Sequence, residues 1–113
     1  MDCLFCKIAH GEINSESVYE DDNIIAFKDI NPQAPTHILI IPKKHISTLN
    51  DIDNADTLLI GQLTIAAKNL AKELGLAQEG YRIVMNCNEN GGQTVYHIHM
   101  HLLGGRQMVW PPG

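Results

Sequence analysis

The sequence is short of positive charge, of cysteine and of long apolar runs, and each shortage removes a class of function. Eight Lys and Arg stand against thirteen Asp and Glu, a formal charge of −5. Broad, phosphate-driven binding to nucleic acid is therefore not expected, although a small phosphorylated ligand is compatible with that balance. The longest aliphatic run outside the candidate helix is Ile38-Leu39-Ile40-Ile41, far below the roughly 20 residues that cross a membrane. Met1-Asp2-Cys3 opens with neither a basic region nor an apolar signal core, so a cytoplasmic location is expected. Three cysteines are too few, and too odd in number, for a disulfide scaffold. Cys3-x-x-Cys6 reads instead as a metal or redox pair in a reducing compartment, and Cys87 as a small buried hydrophobe. There is no low-complexity tract, no internal repeat and no shift in composition that marks a linker.

What is present suits one domain. The chain has 113 residues, 44% hydrophobic and 19% charged, enough for a single real core and short for two. Residues 3–10 make one or two helical turns ended by Gly11, with Leu4, Phe5 and Ile8 as inward candidates. Residues 17–20 and 23–28 read as a hairpin around Glu20-Asp21-Asp22-Asn23. Asn31-Pro32-Gln33-Ala34-Pro35 is a fixed loop, because its prolines lack donors and restrict the residues before them. His37 to Ile41, closed by Pro42, is apolar without alternation and belongs at the centre of a sheet. From Asp53 or Asn54 to Leu74 the period becomes helical, with Leu59, Leu63, Ala66, Leu70 and Leu74 on one stripe, Asp/Asn caps at 51–54 and Gly75 as the stop. Gly61 inside that helix costs about 1 kcal/mol against alanine. Residues 81–85 form another strand, and 88–92 a turn. The expected class is α+β: an antiparallel sheet of five to six strands, one long helix and a short N-terminal helix.

The chemistry concentrates in Tyr96-His97-Ile98-His99-Met100-His101-Leu102-Leu103. Strict alternation predicts a strand with His97, His99 and His101 on one wet face and Ile98, Met100 and Leu102 on the buried one. Neighbouring histidines in such a row stand about 6.6 Å apart, so one metal cannot hold all three and their roles divide. The bland alternative is a polar face that uses histidine three times; the near-neutral pKa and ligand nitrogen of histidine argue for chemistry or metal. Just upstream, Gly91-Gly92-Gln93-Thr94 offers close backbone N–H groups and a hydroxyl suited to phosphate oxygens; otherwise it is an ordinary turn.

His97-x-His99-x-His101 with apolar residues between resembles the signature of the histidine triad superfamily. Phe27-x-Asp29-Ile30-x-Pro32-x-Ala34-Pro35-Thr36-His37 and the closing Gly-Gly-Arg-Gln-Met-x-Trp-Pro-Pro-Gly resemble its nucleotide-binding Hint branch, so nearly the whole chain is covered. The resemblance implies a single histidine triad domain over 1–113, a sheet extended across a homodimer, and residues 104–113 as a tail at the dimer interface, with Trp110 as anchor and Arg106 and Gln107 reaching across. It implies hydrolysis of purine nucleoside phosphoramidates, adenylyl-amine or adenylyl-lysine in type, through a nucleotidyl intermediate on His99. His97 would supply the carbonyl that fixes the tautomer of His99. His101 would bond a phosphate oxygen or the leaving nitrogen, and Thr94, Asn86 and Gly92 would hold the remaining oxygens. Thr94 departs from the serine usual in this branch. Asp29 would grip the ribose, with Phe5, Ile8, Phe27, Ile30, His37 and Leu39 as walls around the base; taken singly, residues such as Phe27 and Leu39 are more simply core, and Asp29 a turn former. No cofactor is implied for catalysis. By likeness to some bacterial members, Cys3, Cys6, His45 and His97 would hold a structural zinc, closed to substrate. The rivals in other classes are a nucleotide-binding regulatory module with vestigial hydrolysis and a zinc-stabilised scaffold.

Overall fold

A computed structural model describes residues 3–113; the Met1-Asp2 opening that bears on localisation lies outside them. Five strands form one antiparallel sheet: β1 (Ser17–Glu20), β2 (Ile24–Lys28), β3 (Thr36–Pro42), β4 (Tyr81–Val84) and β5 (Met100–Gly104), in the order β1-β2-β3-β5-β4. The unalternating apolar stretch is β3, at the centre as expected, because both of its faces are covered. On one face Ile38 and Ile40 join Ile24, Ala26, Met100 and Leu102 under the long helix α2 (Thr57–Glu73). On the other, Leu39 and Ile41 join Ile25 and Phe27 under the short helix α1 (Leu4–Ala9), which contributes Phe5, Ile8 and Ala9. The helices thus lie on opposite sides of the sheet. Among the described residues no helix is long and apolar enough to cross a membrane.

Three sequence expectations need correction. First, the long helix begins at Thr57; residues 49–51 and 54–56 form two 3-10 turns, each closed by a reciprocal cap, Thr48 with Asp51 and Asp53 with Asp56. Asp56 then turns inward, only 3% exposed, and takes the ammonium of Lys44 at 2.6 Å. Second, the buried stripe of α2 is Leu63, Ala66, Ala67, Leu70 and Ala71, while Leu74 is 45% exposed. The helix has already ended there: the Gly75 N–H bonds the Lys72 carbonyl and the Leu76 N–H the Ala71 carbonyl, with Gly75 at φ +77°, a Schellman closure. Leu76 takes the inward place that Leu74 vacates. It sits so close to β5 that a Cβ on Gly104 would lie 2.7 Å from it, which is why the strand ends in glycine.

Third, the strand of the histidine row begins only at Met100. At Ile98 the backbone N–H donates to the Ile46 carbonyl at 2.7 Å, so the chain before β5 is pulled toward the loop after β3 and leaves the ladder. The alternation survives this bend. Ile98, Met100 and Leu102 join the α2 core. The histidine face is nevertheless not wet: His97 is fully buried and His99 is 6% exposed, because α1 is laid over them.

Truncating the fully buried Leu63 should cost about 3 kcal/mol in chemical denaturation, within the range for core leucines, and Leu74→Ala less than about 1 kcal/mol. Equal losses would contradict this assignment of the helix face.

Candidate active site

Five of the six histidines converge beneath α1. Each is held by a group whose hydrogen-bonding role is fixed, and that decides its tautomer. A carbonyl can only accept and an amide N–H can only donate. The His99 Nδ1 lies 2.8 Å from the His97 carbonyl, so Nδ1 carries the proton and Nε2 is left as a bare lone pair. His97 has its Nε2 2.7 Å from the Pro42 carbonyl, so its free lone pair is Nδ1. The Gln33 N–H donates to His37 Nδ1 at 3.0 Å, which puts the His37 proton on Nε2. That proton points at His101 Nδ1, 2.9 Å away, and leaves the His101 proton on its own Nε2. The centre therefore presents one nucleophilic nitrogen, on His99, beside one imidazole donor, on His101, with ring centroids 5.0 Å apart.

Burial pushes the pKa of His99 down, opposed by its bond to the His97 carbonyl and by the charge of Asp29. His101 falls to about 4, first through burial and then through His99 and His37. Neutral imidazoles at ordinary pH follow, which suits attack by an uncharged nitrogen. Phe5 packs edge-on against His99, centroids 5.0 Å apart and planes at 88°, and against Phe27 at 5.6 Å. Phe5, Ile8, Phe27 and Leu39 are all buried in one cluster beside the histidines.

Asp29 stands at the rim, half-buried. Its Oδ1 accepts from the Asn31 N–H at 2.8 Å, and its Oδ2 lies 3.4 Å from His37 Nε2. Ile30 is fully exposed, outside the buried cluster. His37, expected as part of that wall, is buried against His101 as its hydrogen-bond partner. Asn86 donates to the Gly91 carbonyl at 2.6 Å, Gly92 adopts φ +79°, and Thr94 is exposed.

Cys3, Cys6, His45 and His97 bring their ligand atoms within 4.8 Å of one another. Zinc bonds of about 2.3 Å to sulfur and about 2.0 Å to nitrogen give tetrahedral edges of about 3.5 Å for S···N and about 3.3 Å for N···N. Three of the four S···N distances, Cys3–His97, Cys6–His45 and Cys6–His97, are 3.3 to 3.5 Å, and the two Nδ1 atoms are 3.3 Å apart. The outer nitrogens are occupied too, His97 Nε2 by the Pro42 carbonyl and His45 Nε2 by the Ser47 hydroxyl at 3.1 Å. Such outer bonds turn the inner lone pairs toward a metal. The donor set fits zinc. A second group, Asp29, His37 and His101, is equally compact, but a proton already sits on His37 Nε2 where a metal would bind. That group is a hydrogen-bond chain.

Two kinds of participant escape a reading of the sequence. The Pro42 carbonyl and the Gln33 amide, which set the tautomers of His97 and His37, act through the backbone, which side-chain identity does not report. Gln93 is 6% exposed: its Oε1 accepts from the Asn88 N–H, and its amide donates to the Ser47 and Val95 carbonyls at 2.8 and 3.1 Å, tying the glycine turn to the segment that carries His45. Its place inside Gly-Gly-Gln-Thr is the one signal for it.

A family model described as the HIT domain matches residues 10–108. A purine nucleoside phosphoramidase of Escherichia coli is 52% identical over 105 residues, covering 93% of this chain and 88% of that protein. The crystal structure of a HIT family hydrolase from Legionella pneumophila superposes with a TM-score of 0.98 at 63% identity, covering 99% of this chain and 100% of the other. A zinc-bound histidine triad family protein from Mycobacterium smegmatis gives a TM-score of 0.80 at 34% identity, covering 94% of this chain and 76% of the other.

The depressed pKa of His101 sets a sign for stability. The unfolded imidazole titrates near 6.5 and the folded one near 4, so between those values the unfolded chain binds more protons. Stability is full above about pH 6.5 and falls as the pH drops toward 4. In metal-free protein, denaturant titrations over this window should show that decline, and His101→Asn should flatten it. An unchanged slope would contradict the buried, neutral state assigned to His101.

Proposed function

The chain belongs to the HIT domain family, and from that premise we propose that it is a purine nucleoside phosphoramidase that works through a nucleotidyl-His99 intermediate. The observation that carries the reading is the His99 tautomer: Nδ1–H held by the His97 carbonyl, and Nε2 left as a lone pair on a ring that lies between those of Phe5 and His101. Nε2 attacks the α-phosphorus of an adenylyl-amine or adenylyl-lysine type substrate, the phosphorus–nitrogen bond breaks, and the amine leaves with a proton. Water then displaces the nucleotide from the imidazole. Of the two roles open to His101, the hydrogen-bond chain favours one. Its Nε2–H has no second proton behind it, since His37 Nδ1 is engaged by an amide donor, so His101 serves as a fixed donor to a phosphoryl oxygen and the amine draws its proton from solvent. A preorganised donor of this kind is worth about 10²–10³ in rate. Thr94, Asn86 and the Gly92 amide hold the other oxygens, Asp29 the ribose hydroxyls, and Phe5, Ile8, Phe27, Ile30 and Leu39 the base, with His37 behind His101.

The Cys3, Cys6, His45 and His97 cage holds zinc with all four positions filled by protein. Its contribution is to cross-link α1 to the sheet, and no catalytic cofactor is involved. A cytoplasmic, reducing setting is the one that keeps Cys3 and Cys6 as thiols.

The working form is a homodimer whose closing residues, 104–113, meet the rim of the partner's site. Three features support this. β4 is an edge strand with one side unpaired among the described residues. Leu58 and Ile65 on the outward face of α2 are 74% and 54% exposed, flanking Gly61, which has open space above it. Trp110 is 82% exposed, on a tail fastened by Arg82 to the Val109 carbonyl at 2.9 Å and by Arg106 to the Gln33 carbonyl.

Incubation with an adenosine phosphoramidate in the presence of chelator should yield AMP, and a rapidly quenched reaction should carry a nucleotide mass on His99. His99→Ala should lose at least about a thousandfold in turnover; undiminished turnover would overturn the mechanism. Deleting residues 108–113 should change which amines are accepted while leaving the sedimenting species dimeric. A monomer at all concentrations would count against the assembly, and an unaltered substrate range against the tail.

A further inference from the structure

We propose that metal occupancy of the Cys3, Cys6, His45 and His97 cage sets how tightly the nucleoside pocket holds its ligand, with α1 as the latch between them. The inference rests on the phosphoramidase reading for the identity of the pocket.

The two thiols flank the pocket's own wall. Cys3 and Cys6 bracket Phe5, the residue that packs edge-on against His99 and Phe27. A metal bound by both thiols would therefore pin Phe5 from either side. The helix is short: it spans six residues, Leu4–Ala9, about half the length at which an isolated helix becomes even marginal in water. After Gly11, at φ +76°, the chain to residue 16 has no regular structure. Phe5, Ile8 and Ala9 dock α1 on the sheet through an apolar face, and Cys3 and Cys6 bring its first turn to the cage.

The cage and the nucleophile also share a residue. The His97 ring turns Nδ1 into the cage, 3.5 Å from each sulfur, while its backbone carbonyl receives the His99 Nδ1–H. Fixing the ring fixes the residue that orients His99. A metal-free state is built in as well. Ser47 Oγ, beside His45 Nε2, is a hydroxyl and can accept or donate. With metal bound, His45 donates from Nε2 to Ser47. Without metal, Ser47 donates to His45 Nε2, and the His45 proton moves to Nδ1, which faces His97 Nδ1 at 3.3 Å. That neutral bond preserves the core but leaves the thiols of α1 without a common anchor.

The test titrates chelated full-length protein with zinc ion, reading AMP affinity by calorimetry and amide exchange over α1 and α2. Chelation should weaken AMP binding about tenfold, which corresponds to α1 being latched in about a tenth of molecules. Exchange should speed up over residues 4–9 and stay slow over 63–71, and zinc should restore both. Cys6→Ser should behave as the chelated form. Phe5→Leu, which leaves the cage intact, should bind zinc while its AMP affinity no longer follows the metal. The proposal is overturned if no zinc binds, if AMP affinity is indifferent to metal, or if α1 and α2 lose protection together, the mark of general destabilisation. Zinc-loaded protein with a protected α1 that binds no AMP would overturn the phosphoramidase reading and the coupling with it, whereas AMP binding that ignores zinc removes the coupling alone.

Discussion

The hydrogen bond from His99 Nδ1 to the His97 carbonyl is the contact on which the site depends. Imidazole is ambidextrous, and a triad of free imidazoles would sample several protonation patterns, most of them without a nucleophile. Backbone groups end the ambiguity because they cannot change role: two carbonyls and one amide fix His99, His97 and His37 in turn, and His101 follows from His37. The arrangement requires burial, since water would compete for every one of these bonds. It therefore requires the apolar lid that α1 supplies.

That requirement explains why alternation reveals the division of faces in the histidine row but not the burial of its histidine face. Alternation in Ile98, Met100 and Leu102 identifies one core correctly, because α2 is long and periodic. Residues 3–10 announce a short helix with Phe5 and Ile8 inward, but not that it will lie over the histidine face. The same limit applies at Ile98, whose bond to Ile46 draws the chain out of the ladder: a strand and an irregular segment with the same side-chain alternation look alike in sequence. β3 was legible because a residue row buried on both faces has no polar positions to hide it, and the stop at Gly75 because a positive φ favours glycine.

Residue roles divide in the same way. Cys3, Cys6, His45 and His97 carry their chemistry in their side chains, so the resemblance could point to them, and the distances agree with what a tetrahedral ion demands. His37 was expected beside the base for its position in a motif, yet its ring nitrogens are engaged by Gln33 and His101. A contact that begins at a backbone amide leaves no trace in composition or spacing. Gln93 is an intermediate case: its identity is visible, but its three bonds to neighbouring segments appear only after folding.

Trp110 is the single tryptophan of the chain, and it lies in the exposed tail, away from both cores. Its indole emission therefore reports the surroundings of the tail rather than the packing of either core. An unfolding curve followed by that fluorescence would track the tail, while circular dichroism would track the sheet and α2. Non-coincidence of two such curves in this protein would reflect where its only indole sits, and would not by itself signify a folding intermediate.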